Sequence, residues 1–268
     1  MNEPVTVAPS SWDCFTSDAF AGQVTLVTGA AGGMGREVAR AFHQLGARVW
    51  LSDLDADALK ATAAEIAMPG GPEPVVCPAD VADAAAVAEL YRRIDAEHGR
   101  VDNVVSCAAV ITAESALDMT PEHWERVLRI NLVGTFTVLQ EAVRRMTAQG
   151  SGQIVAVASD AGKRGGGGLV ADAAYAASKA GVLSLVKSLA REFAGTGVRI
   201  NALTPGPTDT PMHGGLSTDL KERIGAGLPI GRMGHPRDMA AAILFLCSPA
   251  ATFVYGASLN VDGGAMFE

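Results

Sequence analysis

Long apolar runs and basic clusters are both missing from this sequence, and each absence excludes a class of protein. No apolar stretch approaches the roughly 18 uninterrupted residues that a membrane-spanning helix needs. Lys and Arg total 21 against 29 Asp and Glu, for a net charge of −8, and the basic residues form no run. We therefore expect neither a membrane protein nor a protein that binds nucleic acid or an anionic membrane surface.

Metal-binding and hydrolase motifs are missing as well. The four cysteines, Cys14, Cys77, Cys107 and Cys247, are far apart and form no CxxC or Cys/His spacing. The five histidines include no HExxH motif, and no serine lies in a GxSxG motif. The sequence therefore predicts buried free thiols and no metal site, and it argues against a metal-dependent or serine hydrolase.

The first 22 residues lack the marks of a targeting signal. They contain two prolines and three acidic residues and have neither a basic start nor an apolar run. We interpret residues 1–22 as an N-terminal extension and residues 23–268 as a single domain, and we expect a cytoplasmic protein. Trp12 and Phe15 of the extension could dock on the domain or on a neighbouring subunit.

Hydrophobic residues make up 49% of the chain, enough to bury a large core. From Gln23 onward, short β-branched runs alternate with longer helical stretches. The runs that read as strands are VTLVTG, ARVWLSD, PVVCPAD, 101–106, 152–158, 198–203 and 257–260. Nearly continuous apolar strands separated by helices are typical of a parallel sheet. The predicted fold class is α/β, a doubly wound parallel sheet of about seven strands with helices on both faces.

Two helix starts are marked clearly in the sequence. Thr120-Pro121-Glu122 combines an N-cap hydroxyl, a proline at the first helical position and an acid at the positive end of the helix dipole. It predicts a helix that carries residues 124–146. His235-Pro236-Arg237-Asp238 predicts a second helix start in the same way.

A glycine-rich turn follows the first predicted strand, where residues 28–35 read TGAAGGMG. At such a turn, glycine lets the backbone approach a dinucleotide pyrophosphate, which the following helix N-terminus faces. The spacing of Gly29, Gly33 and Gly35 differs from the tighter GxGxxG motif. By itself, the pattern is also compatible with a glycine-rich turn that binds nothing.

Asp53 closes the second predicted strand and points to the choice of cofactor. A carboxylate at this position can accept hydrogen bonds from both adenosine ribose hydroxyls and repels a 2′-phosphate, which favours NAD over NADP. Arg36 could instead supply a cation for a 2′-phosphate. Asp53 could also cap the following helix, a role that Asp55 could fill equally well.

A tyrosine and a lysine in the segment YAASK form a candidate acid-base pair. Tyr175 and Lys179 share one face of a predicted helix because they lie four residues apart. An adjacent ammonium, helped by an oxidised nicotinamide, would favour the phenolate, although any helix surface can carry such a pair. Ser159 follows the predicted strand 152–158, where it could hydrogen-bond a substrate oxygen while Tyr175 moves the proton.

Taken in order, these motifs resemble those of the short-chain dehydrogenase/reductase family, in its compact single-domain branch. The resemblance extends from Gln23 to the Val261-Asp262-Gly263-Gly264 segment. The family's TGxxxGxG pattern and its Asn-Ser-Tyr-Lys tetrad match at Thr28, Gly29, Gly33, Gly35, Asn131, Ser159, Tyr175 and Lys179. The resemblance implies a single-domain Rossmann fold in which the four tetrad residues are catalytic.

The resemblance also implies an extended cofactor site. Asp80-Val81 is similar to the family's adenine contact, and Thr210, after Pro205-Gly206, is similar to the threonine that holds the nicotinamide carboxamide. The expected cofactor contacts are Gly29, Ala31, Gly32, Gly33, Met34, Gly35, Asp53, Leu54, Asp80, Val81, Cys107, Ala108, Ala109, Asn131, Tyr175, Lys179, Pro205, Gly206, Thr208, Thr210 and Met212.

A substrate loop over about residues 205–230 is also implied. The expected substrate contacts are Ser159, Arg164, Tyr175 and His213, although His213 could be a plain surface residue and Arg164 a solvated one. The sequence departs from the family twice. The usual NNAG is replaced by the residues 106–109, SCAA, and the 16-residue interval from Ser159 to Tyr175 is longer than usual. We expect altered packing on the ribose side and altered substrate access.

The function implied is an NAD-dependent oxidoreductase that interconverts a small-molecule secondary alcohol and a ketone. Tyr175 would transfer the proton, Lys179 would lower its pKa and bind the nicotinamide ribose, Ser159 would orient the substrate oxygen, and Asn131 would support a water-linked proton path. The alternatives are an NADPH-dependent 3-oxoacyl-thioester (acyl-carrier-protein) reductase and a non-catalytic NAD(H)-binding protein. The implied assembly is a homotetramer or a homodimer.

Overall fold

Seven parallel strands form the centre of the structure. The computed structural model describes residues 15–112, 114–166, 172–211 and 216–267. The strands are β1 (Val24–Thr28), β2 (Arg48–Ser52), β3 (Val75–Val76), β4 (Asn103–Ser106), β5 (Gly152–Val157), β6 (Val198–Pro205) and β7 (Ser258–Val261). Their order across the sheet is β3-β2-β1-β4-β5-β6-β7, so the chain reverses its direction of travel between β3 and β4.

Helices connect the strands and cover the sheet. The helices are α1 (Gly33–Gln44), α2 (Ala56–Ile66), α3 (Ala84–His98), α4 (Pro121–Leu128), α5 (Thr135–Gln149), α6 (Ala161–Arg164), α7 (Ala173–Glu192), α8 (Thr218–Ala226) and α9 (Pro236–Cys247). A π-helical segment, Arg129–Gly134, joins α4 to α5, and a short 3-10 helix spans Pro249–Ala251. No helix in the described ranges is both long and apolar enough to cross a bilayer.

Two apolar cores lie on opposite faces of the sheet, as the predicted doubly wound architecture requires. Side chains of α3, α5 and α7 pack on one face, and side chains of α1, α2 and α9 pack on the other. Strand β1 supplies both cores, since Leu26 faces the first and Val27 the second. The predicted fold class is therefore confirmed.

The two marked helix starts form as the sequence predicts. Thr120 Oγ1 accepts a hydrogen bond from His123 N at the start of α4, with Pro121 in the first turn. His235 and Asp238 form a reciprocal capping box at the start of α9. Each cap satisfies backbone N–H groups that the helix leaves unpaired.

The helix predicted over residues 124–146 differs from the expectation. It is helical throughout, but its middle is the π-helical segment, which contains Asn131. Gly134 lies so close to the loop between β3 and α3 that a Cβ there would come within 2.9 Å of the Val81 side chain. Thr135 Oγ1 donates to Asn131 O at 2.8 Å and so satisfies a carbonyl within the irregular turn. Neither constraint follows from helical periodicity.

Three of the four cysteines lie in the described residues and are free thiols. Cys77 and Cys247 are buried as predicted, whereas Cys107 is half-buried because it borders a cleft. Burial raises the pKa of Cys247 to about 12. Cys14 lies outside the described residues, as does Trp12.

The described end of the N-terminal extension packs into the core beside α1. Phe20 is fully buried, its ring contacts Phe42 edge-on with centroids 4.8 Å apart, and its N–H donates to Leu45 O at 2.9 Å. Phe15 packs at the rim of the same cluster, 6.4 Å from the Phe20 ring. This segment therefore contributes to the domain that we expected to begin at residue 23.

We expect Phe20→Ala to lower the free energy of unfolding by about 3–5 kcal/mol, because it empties a fully buried aromatic site. Phe15→Ala is the matched control, with a smaller expected loss because Phe15 is only partly buried. Urea unfolding of both variants at one fixed protein concentration measures the difference. Equal losses for the two variants would contradict the packing role of Phe20.

Candidate active site

A cleft of about 720 Å³ opens at the carboxyl ends of the strands. Open parallel sheets bind ligands at this edge, where the strand order reverses. The predicted site residues that line the cleft are Gly29, Gly32, Gly33, Met34, Gly35, Asp53, Leu54, Asp80, Val81, Cys107, Ala108, Ala109, Ser159, Arg164, Tyr175, Lys179, Pro205, Gly206, Thr208 and Thr210. Ala31 and Asn131 are predicted residues that do not line it. Met212 and His213 lie outside the described residues.

The glycine-rich turn after β1 is held by close backbone contacts. Gly29 has a positive φ of 69°, and a Cβ there would lie 2.7 Å from the backbone nitrogen of Ala108. A Cβ on Gly35 would lie 2.2 Å from the carbonyl oxygen of Gly29. Both glycines are therefore required by the packing of the turn, and their conformation also leaves its backbone open towards the cleft.

The N-terminus of α1 faces the cleft without charge compensation. Gly32 at the N-cap has no side chain to cap the helix, and its first turn contains no acidic residue. The positive end of the helix dipole and the unpaired N–H groups together suit a phosphate group. The turn therefore fits the pyrophosphate of a dinucleotide.

Asp53 stands at the end of β2 with its carboxylate fixed by the backbone. Its Oδ2 accepts from Ala31 N at 3.1 Å, and its Oδ1 accepts from Leu54 N at 2.7 Å. Asp55, not Asp53, caps α2, since Asp55 Oδ1 accepts from Asp57 N and Ala58 N, both at 3.0 Å. The capping alternative for Asp53 is therefore wrong, and its carboxylate borders the cleft.

Arg36 directly follows the glycine turn, and its guanidinium is already engaged. One nitrogen donates to Ala31 O at 3.1 Å, and another lies 3.3 Å from Glu65 Oε2. Glu65 also pairs with Arg40. Arg36 thus sits beside the turn, but an acid on α2 partly compensates its charge.

Lys179 is a buried cation on the same helix face as Tyr175. Its side chain is 2% exposed, its Nζ donates to Val157 O at 2.8 Å, and Nζ lies 5.7 Å from the Tyr175 ring centroid. Burial lowers the pKa of Lys179 to about 8, because the charged form loses its hydration. The predicted juxtaposition of this pair is present in the structure.

Burial shifts the pKa of Tyr175 in the opposite direction. It raises the pKa of the phenol to about 12, the hydrogen bond with Ser159 lowers it, and the carboxylates of Asp160 and Asp172 raise it. The expected acidification by Lys179 is therefore outweighed in the chain without a cofactor. Near neutral pH, Tyr175 therefore keeps its proton in this chain.

Ser159 lies just beyond β5, next to an acid that the sequence analysis missed. Its hydroxyl donates to Asp160 Oδ1 and accepts from Ala161 N, both at 3.2 Å. Asp160 Oδ2 also accepts from Arg164, whose guanidinium nitrogen lies 2.6 Å away. The four-residue interval between Asp160 and Arg164 is the sequence signal that could have revealed this pair.

Asn131 lies behind the cleft wall, fully buried in the π-helical segment. Its amide nitrogen donates to Val110 O at 2.9 Å and to Ser178 Oγ at 3.1 Å, and its Oδ1 accepts from Val110 N at 2.8 Å. Asn131 therefore joins the segment after β4 to the helix that carries Tyr175.

Metal chemistry has no candidate centre in the described part of the chain, where no group of three or more His, Cys, Asp or Glu side chains could hold an ion. The cleft instead presents a glycine turn, an uncompensated helix N-terminus and a fixed carboxylate. These features together fit a dinucleotide cofactor.

Comparisons with known proteins agree with this geometry. A family model described as enoyl-(acyl carrier protein) reductase matches residues 29–266. The cis-4-hydroxycyclohexanecarboxylate dehydrogenase of Sinomonas cyclohexanicum is 40% identical over 92% of this chain and 98% of its own length. The 3-oxoacyl-(acyl-carrier-protein) reductase FabG of Thermotoga maritima is 36% identical over 91% of this chain and 97% of its own length.

Solved structures show the same fold. A short-chain type dehydrogenase/reductase from Mycobacterium marinum superposes with a TM-score of 0.87 and 32% identity, over 94% of this chain and 98% of the other. A Beutenbergia cavernae protein, provisionally named an NAD(P)-dependent gluconate 5-dehydrogenase, gives a TM-score of 0.85 and 37% identity, over 93% of this chain and 98% of the other. Its crystal structure contains NADP at low occupancy.

A dehydrogenase and a 3-oxoacyl-(acyl-carrier-protein) reductase match nearly the whole chain, and the fold superposes on that of a solved short-chain type dehydrogenase/reductase. The resemblance found in the sequence is thus confirmed. The chain belongs to the short-chain dehydrogenase/reductase family and is an oxidoreductase.

Proposed function

We propose that this protein is an NAD-dependent oxidoreductase that interconverts a secondary alcohol and a ketone. The observation that carries the proposal is that Ser159, Tyr175 and Lys179 line the same cleft as the glycine turn and Asp53. A proton-transfer group, its positioning partners and a dinucleotide site thus share one space. The small-molecule substrate would occupy the cleft next to Ser159 and Tyr175.

Proton transfer is the task of the protein side chains in this reaction. When bound, a nicotinamide cofactor supplies the hydride acceptor or donor. In the oxidising direction, Tyr175 as phenolate removes the proton from the substrate hydroxyl, while the hydride leaves the carbon that bears this hydroxyl. In the reducing direction, Tyr175 returns a proton to the carbonyl oxygen. Each reaction therefore moves one proton and one hydride.

Ser159 and Lys179 support Tyr175 from two sides. The Ser159 hydroxyl hydrogen-bonds Tyr175 and would orient the substrate oxygen. Lys179, with a pKa lowered to about 8, still carries its proton near pH 7 and so places a buried positive charge beside the phenol. In this low-dielectric site, that charge favours the phenolate more strongly than it would in water.

NAD is the proposed cofactor because Asp53 holds a fixed carboxylate at the end of β2. The backbone N–H groups of Ala31 and Leu54 orient it, so the carboxylate is ready to accept from two ribose hydroxyls. A 2′-phosphate would meet this negative charge. The pairing of Arg36 with Glu65 further weakens the alternative of a phosphate-binding arginine.

An NADPH-dependent 3-oxoacyl-thioester reductase is the second candidate. It is favoured by the Thermotoga maritima FabG and by the NADP in the Beutenbergia cavernae protein. Arg36 beside Ala31 is the group in this chain that would have to turn towards a 2′-phosphate. A third reading, a non-catalytic NAD(H)-binding protein, gives no reason for Tyr175, Lys179 and Ser159 to occur together.

The assembly and the compartment belong to the same proposal. We expect a cytoplasmic homotetramer, or a homodimer, with subunit contacts near the C-terminus. Phe253, Tyr255 and Phe267 expose large apolar surface there in the single chain. Large exposed apolar side chains are candidates for contacts between subunits.

We expect Tyr175→Phe to lower turnover about 10²- to 10⁴-fold, because the variant keeps the buried ring but loses the proton-transfer group. Nicotinamide absorbance would be followed while secondary alcohols, diols, hydroxy acids and sugar alcohols are offered with NAD or NADP. Tyr255→Phe is the matched control, since the Tyr255 hydroxyl donates to Ala190 O at 2.9 Å, away from the cleft lining. A Tyr175→Phe enzyme as fast as the control would refute the assignment.

We expect Asp53→Ala to reduce the ratio of kcat/KM with NAD to kcat/KM with NADP by about 10- to 100-fold. This is the loss of affinity expected when charge-assisted hydrogen bonds to the ribose are removed. Initial rates with both cofactors measure the ratio. Asp57→Ala serves as control, because Asp57 is exposed on α2 and pairs with Lys60. The proposal on cofactor choice fails if the ratio is unchanged in the Asp53 variant.

A further inference from the structure

A buried carboxylate begins the helix that carries Tyr175. Asp172 is 2% exposed and is the N-cap of α7. Its Oδ1 accepts from the backbone N–H of Tyr175 at 2.9 Å. Asp172 thus fixes the backbone of the proposed proton-transfer residue directly, three residues before it in the sequence.

The second carboxylate oxygen of Asp172 reaches a different part of the fold. Oδ2 accepts from Thr112 N at 3.0 Å and from Thr112 Oγ1 at 2.5 Å. Thr112 belongs to the segment that follows β4. A buried carboxylate that accepts three hydrogen bonds, one from its own helix and two from a neighbouring segment, joins the two elements.

The network continues through Thr112 to the start of α4. Thr112 Oγ1 lies 2.7 Å from His123 Nε2. Because a carboxylate can only accept, Thr112 gives its hydroxyl proton to Asp172 and its oxygen accepts from His123 Nε2–H. His123 Nδ1 in turn lies 3.3 Å from Glu114 Oε2. We call Asp172, Thr112 and His123 the Asp172 clamp.

The clamp fixes a segment that forms part of the cleft wall. Asn131 binds both the N–H and the carbonyl of Val110, and Asp172 binds both the N–H and the hydroxyl of Thr112. Ile111, between these two anchors, lines the cleft. The wall segment is therefore held at one end by the π-helical segment and at the other by the first turn of α7.

We propose that Asp172 is a positioning residue that holds Tyr175 and the wall segment 110–112 in one fixed geometry. The proposal rests on the proposed function, because it treats Tyr175 as the proton-transfer group. Asp172 does not line the cleft. It would act through the backbone of Tyr175 and through the Asp172 clamp.

The negative charge of Asp172 should affect the titration of Tyr175, an effect that helix capping alone would not produce. Among the described residues, the charged groups that face Tyr175 are Asp172 at the start of α7, Asp160 at the start of α6 and Lys179 one turn along α7. Arg164 pairs with Asp160 and compensates its charge. Removing the negative charge of Asp172 should therefore lower the pKa of Tyr175, because a nearby carboxylate disfavours the phenolate.

Asp172→Asn is the informative substitution. Asparagine caps helices about as well as aspartate and still offers an acceptor to Tyr175 N. Its amide nitrogen, however, is a donor, so it cannot replace both acceptor oxygens of the carboxylate. The variant removes the charge and breaks either the cap bond or the bonds to Thr112, while side-chain volume is retained.

Tyrosine labelled with ¹³C at Cζ tests the charge effect without any substrate. The chain has three tyrosines, and Tyr175→Phe identifies the Tyr175 resonance. We expect this resonance to begin its alkaline shift at lower pH in Asp172→Asn than in the wild type. Identical titration onsets in the two folded proteins would overturn the electrostatic part of the proposal.

Thr112 variants test the positioning part, even if Asp172→Asn does not fold. Thr112→Val removes the hydroxyl link to Asp172 and His123, whereas Thr112→Ser keeps it. We expect kcat to fall about 10- to 100-fold in Thr112→Val, the cost of a misplaced reacting group, with KM for NAD unchanged and near-wild-type kcat in Thr112→Ser. Equal kcat values for the two variants would overturn the proposal.

A failure of the proposed function and a failure of the proposed role of Asp172 would give different results. If the wild type turns over no substrate with either cofactor, the proposed function is wrong, and the Tyr175 titration still decides whether Asp172 acts on this phenol. If the wild type turns over but the Asp172 and Thr112 comparisons show no effect, the proposed function stands and Asp172 is only a helix cap.

Discussion

Parallel pairing of all seven strands is the constraint from which the rest of the structure follows. Each strand enters at one edge of the sheet and ends at the other, so the loops after β1, β2, β4, β5 and β6 converge on a single edge. The crossover helices must cover both faces, which creates two apolar cores. Residues more than a hundred positions apart, such as Gly29 and Tyr175, therefore line one cleft.

Burial decides the chemistry at that edge. The same loss of hydration lowers the pKa of Lys179 to about 8 and raises the pKa of Tyr175 to about 12. In both residues, burial disfavours the charged form of the side chain. A positively charged nicotinamide would tilt this balance towards the phenolate. In the chain by itself, the proton stays on Tyr175 near neutral pH, because burial raises the pKa of this phenol.

Hydrogen-bonded backbone holds this site in place. Asn131 and Asp172 each bind the wall segment after β4, while Asp53 is oriented by two backbone N–H groups. Side chains that are themselves fixed can orient others with little entropic cost. The contacts that define the site are thus mostly long-range in sequence, although the residues that they position belong to short motifs.

Several parts of the fold and the candidate site could be read from the sequence, and several could not. The alternation of short apolar runs with helical stretches predicts the strands, and YAASK predicts the pairing of Tyr175 with Lys179, because these depend on local spacing. The resemblance to a known family implied most of the residues that line the cleft. The π-helical turn at Asn131 could not be predicted, because no sequence pattern marks it and the close contact of Gly134 is with Val81, which is distant in the sequence. The sign of the Tyr175 pKa shift was equally hidden, because it depends on burial.

Fold class, the order of the motifs and the residue types available for a dinucleotide and a proton follow from periodicity and from short spacings in the sequence. The tertiary structure decided which acids act on which groups. Asp55 caps α2 and leaves Asp53 to the cleft, Asp160 pairs with Arg164, and Asp172 reaches Thr112. Such partnerships depend on distances between elements that only the packed sheet and helices fix.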